Sequence, residues 1–409
     1  MSKPTGRLWL VLLLIGAAAL VMGMTGCPQP QETTEISAPP EELEQPGTEP
    51  TGEPLKIGAI FALTGIGSSL GEPERDTAKM LEEQINAEGG IDGRPLQIII
   101  RDTKGEETEA LTAVAELIET ENVLAIVGPS RSGTTMGVVE AVKDAEVPLV
   151  SCAAASVITD PVKKWVFVTP QNDHDAVARI IQYLGSQDIT RIAALTASTG
   201  FGEPGRAQLL AQAPDAGIEI VADEQFADSD TDMTAQLTKI KGTDAQAIVC
   251  WGIGKAPALI AKNVQQLGIE IPLIMSHGVA NRDFIEGAGD AANGIILPAG
   301  KLLVASQLPD DDPAKGLLME YTQQFDEKYG RPADTFGGHA WDAVMLVVSA
   351  LREGATDRAA IRDHVEATQG FQGIGGTFNF SADSHYGLSP DAFVMVEIAD
   401  GDWKLISGE

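Results

Sequence analysis

At 409 residues the chain is longer than one ordinary core organises, so two domains or lobes are expected, and 44% hydrophobic residues mark it as a folding chain. A formal charge of -31 excludes the basic face that nucleic acid requires, and with it electrostatic adhesion to anionic lipid; an acidic solvated surface accounts for it.

Residues 1–27 read as a targeting segment. Lys3 and Arg7 supply positive charge, Leu8 to Val21 is apolar but short for a membrane span, and Met24-Thr25-Gly26-Cys27 closes the segment. That ending resembles the bacterial lipobox, in which the cysteine becomes the lipidated first residue, with Met24 where Leu, Val or Ile is usual. A non-cleaved anchor helix with an incidental Cys27 is the alternative. Residues 28–54 hold seven prolines, seven glutamates and no Lys or Arg, which suits a disordered tether reaching roughly 30 Å as a coil and roughly 80 Å as polyproline. The remaining cysteines, Cys152 and Cys250, are expected as two buried thiols, with a disulfide as the alternative.

Leu55 to Phe61 is a predicted strand, left through the loop Ala62 to Gly71 and followed by a helix from Glu72 to Ala87. Glu88-Gly89-Gly90 caps it, Leu96 to Arg101 is the next strand, and Glu106 to Thr120 the next helix. Val123 to Ser156 carries strand, loop, helix, strand, loop. Right-handed crossover puts its two strands in one parallel sheet, with both loops at the carboxyl edge, where open α/β sheets bind ligands. Both loops are small-residue, so amides at a helix N-terminus are free to meet a small anion. A short strand Trp165 to Val168 completes the unit.

The same alternation restarts at Asp173. Helices over 173–184, 202–213, 233–241 and 255–267 separate strands over 191–196, 218–222, 245–250 and 272–275. The tail adds helices over 314–329, 338–353 and 357–368, then strand-like pieces over 376–380, 392–398 and 403–406. Helices beyond a finished second unit imply that the chain returns to the first, making a multi-stranded hinge.

Three motifs nearly match and fail. Gly65 to Gly71 sits where a dinucleotide fingerprint would, but its spacing is one residue too long and Asp102 is too distant. Gly128 to Thr135 has P-loop glycines but Thr134 in place of the lysine that neutralises phosphate charge. Ser130 lacks the second glycine of a nucleophile elbow. His174, His277, His339, His364 and His385 show no metal-ligand spacing. His364 and His385 read as surface or loop residues, whereas His277 follows a strand at a carboxyl edge and is either structural or functional.

The order of Leu63-Thr64-Gly65, Ile85 to Arg94, Ala125 to Gly128, Phe201-Gly202-Glu203 and Gly278 to Asn281 resembles the leucine/isoleucine/valine-binding type of periplasmic solute-binding protein of ABC importers. The likeness spans Leu55 to Glu409. It implies an α/β fold of two doubly wound, Rossmann-like lobes on a multi-stranded hinge, the type I Venus-flytrap, with lobe 1 at 55–172 plus 301–386 and lobe 2 at 173–300 plus 387–409. It also implies a non-enzymatic monomer without cofactor, lipid-anchored through Cys27 outside the cytoplasmic membrane. Such a protein traps one small solute and hands it to ABC permease subunits; a ligand-sensing receptor is the alternative.

By the same resemblance, Thr64 falls in a motif of the cleft, Ser132 matches the serine that meets a ligand carboxylate, Ala153 a main-chain contact, and Phe336 an apolar wall. Ala155 replaces a threonine that contacts an α-ammonium, with Ser156 beside it, and His277 replaces an acidic residue. Phe201 and Gly254 replace wall tyrosines, and Trp251 fills part of that space. A buried ammonium without its carboxylate loses a partner worth about 1.5–3 kcal/mol. The expected ligand therefore bears a carboxylate without requiring an α-amino group, with a branched-chain amino acid or an aromatic or aliphatic acid as candidates.

Overall fold

In the computed structural model, which describes residues 50–406, β1 (Leu55–Phe61) is buried along nearly its whole length, as the interior strand of a sheet must be. It pairs in parallel with β2 (Leu96–Asp102) on one side and β3 (Ile126–Val127) on the other. β4 (Leu149–Ser151) and β5 (Val166–Val168) extend this parallel sheet to five strands in the order β2-β1-β3-β4-β5. Helices α1 (Ser68–Ala87), α2 (Glu107–Glu119) and α3 (Ser132–Asp144) make the crossovers. α1 starts at Ser68 rather than at the expected Glu72. Pro73 therefore lies inside the helix rather than at its first position.

The second lobe runs α4 (Asp173–Ser186), β6 (Arg191–Ala197), α5 (Gly202–Asp215), β7 (Glu219–Phe226), α6 (Thr234–Lys241), β8 (Ala247–Trp251), α7 (Ala256–Gln266), β9 (Leu273–Met275), α8 (Arg282–Ala288) and β10 (Ile296–Gly300). β10 was not legible in the sequence, because Pro298 and the closing Gly300 hide a strand in a segment of turn-forming composition. The tail adds α9 (Lys315–Tyr329), α10 (Thr335–Arg352) and α11 (Arg358–Ala367). α10 carries a run of small and branched residues, among them Ala343, Val344 and Val347, into the core beneath the first sheet. β11 (Gln369–Gln372) and β12 (Thr377–Asn379) form a ribbon of their own. β13 (Phe393–Ala399) and β14 (Asp402–Leu405) then join the second sheet, antiparallel to β10, in the order β14-β13-β10-β9-β8-β6-β7.

The chain thus passes between the sheets after β5, after β10 and before β13. One buried amide ties these passages. Gln171 Nε2 donates to the carbonyls of Gly375 (2.9 Å) and Ala392 (3.5 Å), and a Cβ placed on Gly300 would stand 3.2 Å from the same nitrogen.

Cys27 and residues 28–49 of the expected tether lie outside the described residues. The end of that segment is bonded rather than loose: the Thr51 and Gly52 amides donate to the Gly93 carbonyl at 3.2 and 3.1 Å. Among the described residues no helix is long and apolar enough to cross a membrane. Cys152 and Cys250 are buried free thiols. His385, expected at the surface, is fully buried, stacked on Phe167 and bonded to the carbonyls of Lys163 and Val166 and to Glu366. These partners come from distant parts of the chain, a tertiary fact with no local signature.

Candidate functional site

Because β3 and β4 are parallel neighbours, the loops that follow them leave the same edge of the sheet. The loop after β3 carries Ser130 and Arg131 into the first turn of α3, whose leading N–H groups have no partner within the helix. Ser132 Oγ accepts from the Ala155 amide at 3.3 Å, which leaves its own proton free to donate. Ser130 Oγ accepts from the Ala62 amide at 3.0 Å and donates to Glu74. Burial pushes that carboxyl well above the usual range; the Ser130 hydroxyl opposes the shift and Asp334 adds to it.

Opposite stand Phe201 at the start of α5, Ile253 after β8, and His277 with Gly278 after β9. With Leu70 and the α10 residues Phe336 and His339, these close a cavity of about 20 Å³, room for about one water. The cavity is lined by Ser132, Ala153, Phe201, His277 and Phe336 of the expected residues. Trp251 lies behind it, fully buried against Phe201 and His277 with ring centroids 5.7 Å away in each case.

Three expected residues are not brought there. Thr64 is exposed and its hydroxyl donates to Asp102 at 2.6 Å. Asp102 also accepts from the Leu63, Thr64 and Lys104 amides, so it organises this loop. Ala155 is buried behind Ser132, and the Ser156 amide donates to Asp173 at 3.2 Å. In both cases the loop turns after Ala154, so the motif position and the cavity part company. His339, Ile253, Leu70 and Arg131 were missed. Of these only Arg131 had a local signal, its place beside Ser132; His339 arrives on a helix whose packing the sequence does not reveal.

The electrostatics are dominated by burial. Neither ring nitrogen of His277 or of His339 has a hydrogen-bond partner, although both side chains are more than nine-tenths buried. Burial lowers His277 to about 3; the nearby Gln171 carbonyl opposes this without reaching hydrogen-bond geometry. Burial likewise lowers His339 to about 3, with His277 pushing the same way. Both imidazoles are neutral at pH 7. No lining residue is acidic.

Two contacts span the lobes at the rim. Arg131 donates from Nη2 to Asp228 at 2.7 Å, both side chains being largely buried, and from Nη1 to the Gly105 carbonyl at 2.9 Å. Gly200 lies so close to α3 that an added Cβ would be 2.8 Å from the Gly133 Cα. Beside the cavity, a groove of about 530 Å³ continues between the lobes past Arg131 and Gly200. Among the described residues no group of His, Cys, Asp and Glu could hold a metal ion. The arrangement can grip a small ligand between two surfaces and exclude water from it.

Residues 54–402 match the family model described as periplasmic binding protein. The chain belongs to that family. A solute-binding role follows for this periplasmic binding protein, and the two α/β lobes are the type I architecture. It is 25% identical over 317 residues to the leucine-, isoleucine-, valine-, threonine- and alanine-binding protein of Pseudomonas aeruginosa, covering 76% of this chain and 82% of that one. An extracellular ligand-binding receptor from Rhodopseudomonas palustris HaA2 superposes with a TM-score of 0.82 at 26% identity, covering 87% of this chain and all (100%) of that one. The branched-chain amino acid transporter substrate-binding protein LivJ of Streptococcus pneumoniae, solved with isoleucine, gives a TM-score of 0.77 at 28% identity, covering 86% and 98%.

Proposed function

We propose that this protein is the extracytoplasmic solute-binding lipoprotein of an ABC importer, anchored through Cys27, tethered by residues 28–54, and handing a small carboxylate-bearing solute to membrane permeases. The two lobes are drawn at 55–172 with 301–386 and at 173–300 with 387–409. The observation that carries the reading is the convergence of residues from both lobes on the cavity, whose volume of about 20 Å³ requires the lobes to part before a solute enters. The cavity is walled by both lobes and roofed by the first turn of α3, where Ser132 has a proton to donate and no acidic residue stands ready for an ammonium. Ser132 and the Ala153 main chain hold the carboxylate, while Phe201, Phe336 and Ile253 wrap its apolar part. Branched-chain amino acids, for which the Pseudomonas aeruginosa and Streptococcus pneumoniae proteins are named, are the competing ligands.

Calorimetry with leucine, valine, 4-methylpentanoate, benzoate and 4-hydroxybenzoate tests the reading, together with mass spectrometry of what stays bound after exposure to cell extract. A carboxylate is expected to bind, and Ser132→Ala to weaken it about tenfold or more, as loss of a charge-assisted hydrogen bond requires. Binding of leucine and valine alone would defeat the choice of ligand. Retention of no carboxylate at all would defeat the function. Lipidation is read as a mass added to the Cys27 peptide and lost in Cys27→Ala.

A further inference from the structure

We propose that His277 and His339, one from each side of the cleft, together bind an uncharged hydroxyl group on the solute, so that the ligand is a hydroxy-carboxylic acid. This rests on the solute-binding reading above and narrows its chemistry. Buried polar groups are almost always paired, yet four ring nitrogens on two side chains of one cavity have no partner. Around His277 the Gln171 carbonyl stands near without hydrogen-bond geometry, and the Trp251 indole Nε1, itself unpaired, makes no bond to it. His277 is ringed by Phe201, Trp251 and Phe393 at centroid distances of 5.4, 5.7 and 5.4 Å, and His339 by Phe336 at 5.8 Å.

A neutral imidazole offers one donor and one acceptor, and a hydroxyl offers one donor and two acceptors. A hydroxyl between the pair therefore accepts from one ring and donates to the other, satisfying one nitrogen of each. An ammonium brings three donors and a charge to a wall without a carboxylate, and the buried carboxyl of Glu74 is turned to Ser130 and pushed by burial well above the usual carboxylate range. Because His277 follows β9 and His339 sits on α10, the group is completed only when the two sides meet, which couples recognition to closure.

The test is calorimetry on the full chain in mild detergent, with probes differing at one group. L-leucine, 2-hydroxy-4-methylpentanoate and 4-methylpentanoate vary an ammonium, a hydroxyl and a hydrogen at one carbon; 4-hydroxybenzoate and benzoate do so on a ring. In at least one series the hydroxy acid is expected to bind tenfold or more tightly than its deoxy partner, and 2-hydroxy-4-methylpentanoate more tightly than leucine. His277→Phe and His339→Phe are expected to shrink the hydroxy-to-deoxy ratio to within about threefold. If a Phe variant fails to fold by circular dichroism, the Asn variant replaces it, and the wild-type ratio already decides. Carboxylates that bind without such a ratio, a ratio surviving both substitutions, or leucine as the tightest probe overturns the histidine pair alone. Binding of no carboxylate overturns the function and this proposal with it.

Discussion

At the scale of single residues, this cleft sets titrations of opposite sign side by side. His277 and His339 are lowered from 6.5 to about 3, so below pH 6.5 the unfolded chain takes up protons that the folded one refuses. Their contribution is complete above about pH 6.5 and is lost as pH falls toward 3, at about 2 kcal/mol each between pH 7.5 and pH 5. Asp334, which caps α10 by accepting from the Phe336 and Gly337 amides at 3.0 Å, is raised by burial to about 7. Its contribution runs the other way: full below about 3.8 and lost as pH rises through 7. Urea denaturation at pH 7.5 and pH 5 should therefore show a shallower acid loss in His277→Asn and a steeper one in Asp334→Asn. Displacement of both variants in the same direction would contradict the assignment.

Among the elements, α3 and the loop before α5 decide how closely the lobes approach. Gly200 packs against Gly133 with no room for a methyl group, so Gly200→Ala should hold the lobes apart. The expected result is ligand affinity down about tenfold or more with the thermal midpoint within a few degrees of wild type; unchanged affinity would show that the rim yields. Much of this element scale was legible in the sequence. Period-2 and period-3.6 patterns placed nearly every strand and helix, and the small-residue loops after β3 and β4 marked the site because glycine, alanine and serine leave backbone accessible. What escaped needed tertiary knowledge: β10 with its proline, the burial of His385, and His339, whose helix is carried back from the far end of the chain. Thr64 and Ser156 were misplaced because a motif fixes neighbours along the chain, whereas a cavity depends on where the loop turns.

In the whole molecule, the Arg131–Asp228 pair is the polar bond that would break on opening. Burial raises Asp228 while the Arg131 guanidinium opposes the shift, so the Asp228 carboxylate depends on Arg131 being close. Removing one partner leaves a largely buried charge that opening of the cleft would hydrate. Arg131→Ala and Asp228→Ala should each enlarge the radius of gyration of the ligand-free protein in small-angle scattering, and the double variant should enlarge it by less than the sum of the two. Additive effects would mean that the pair does not latch the lobes. The buried amide of Gln171 has a consequence for that motion. Gln171 bonds the passage before β13 and packs against the one after β10, so the three passages are expected to bend together rather than shear, with the lobes rotating about a single axis. Opening is then one coordinate, and a single pair of spectroscopic labels, one on each lobe, should recover the whole distribution between open and shut.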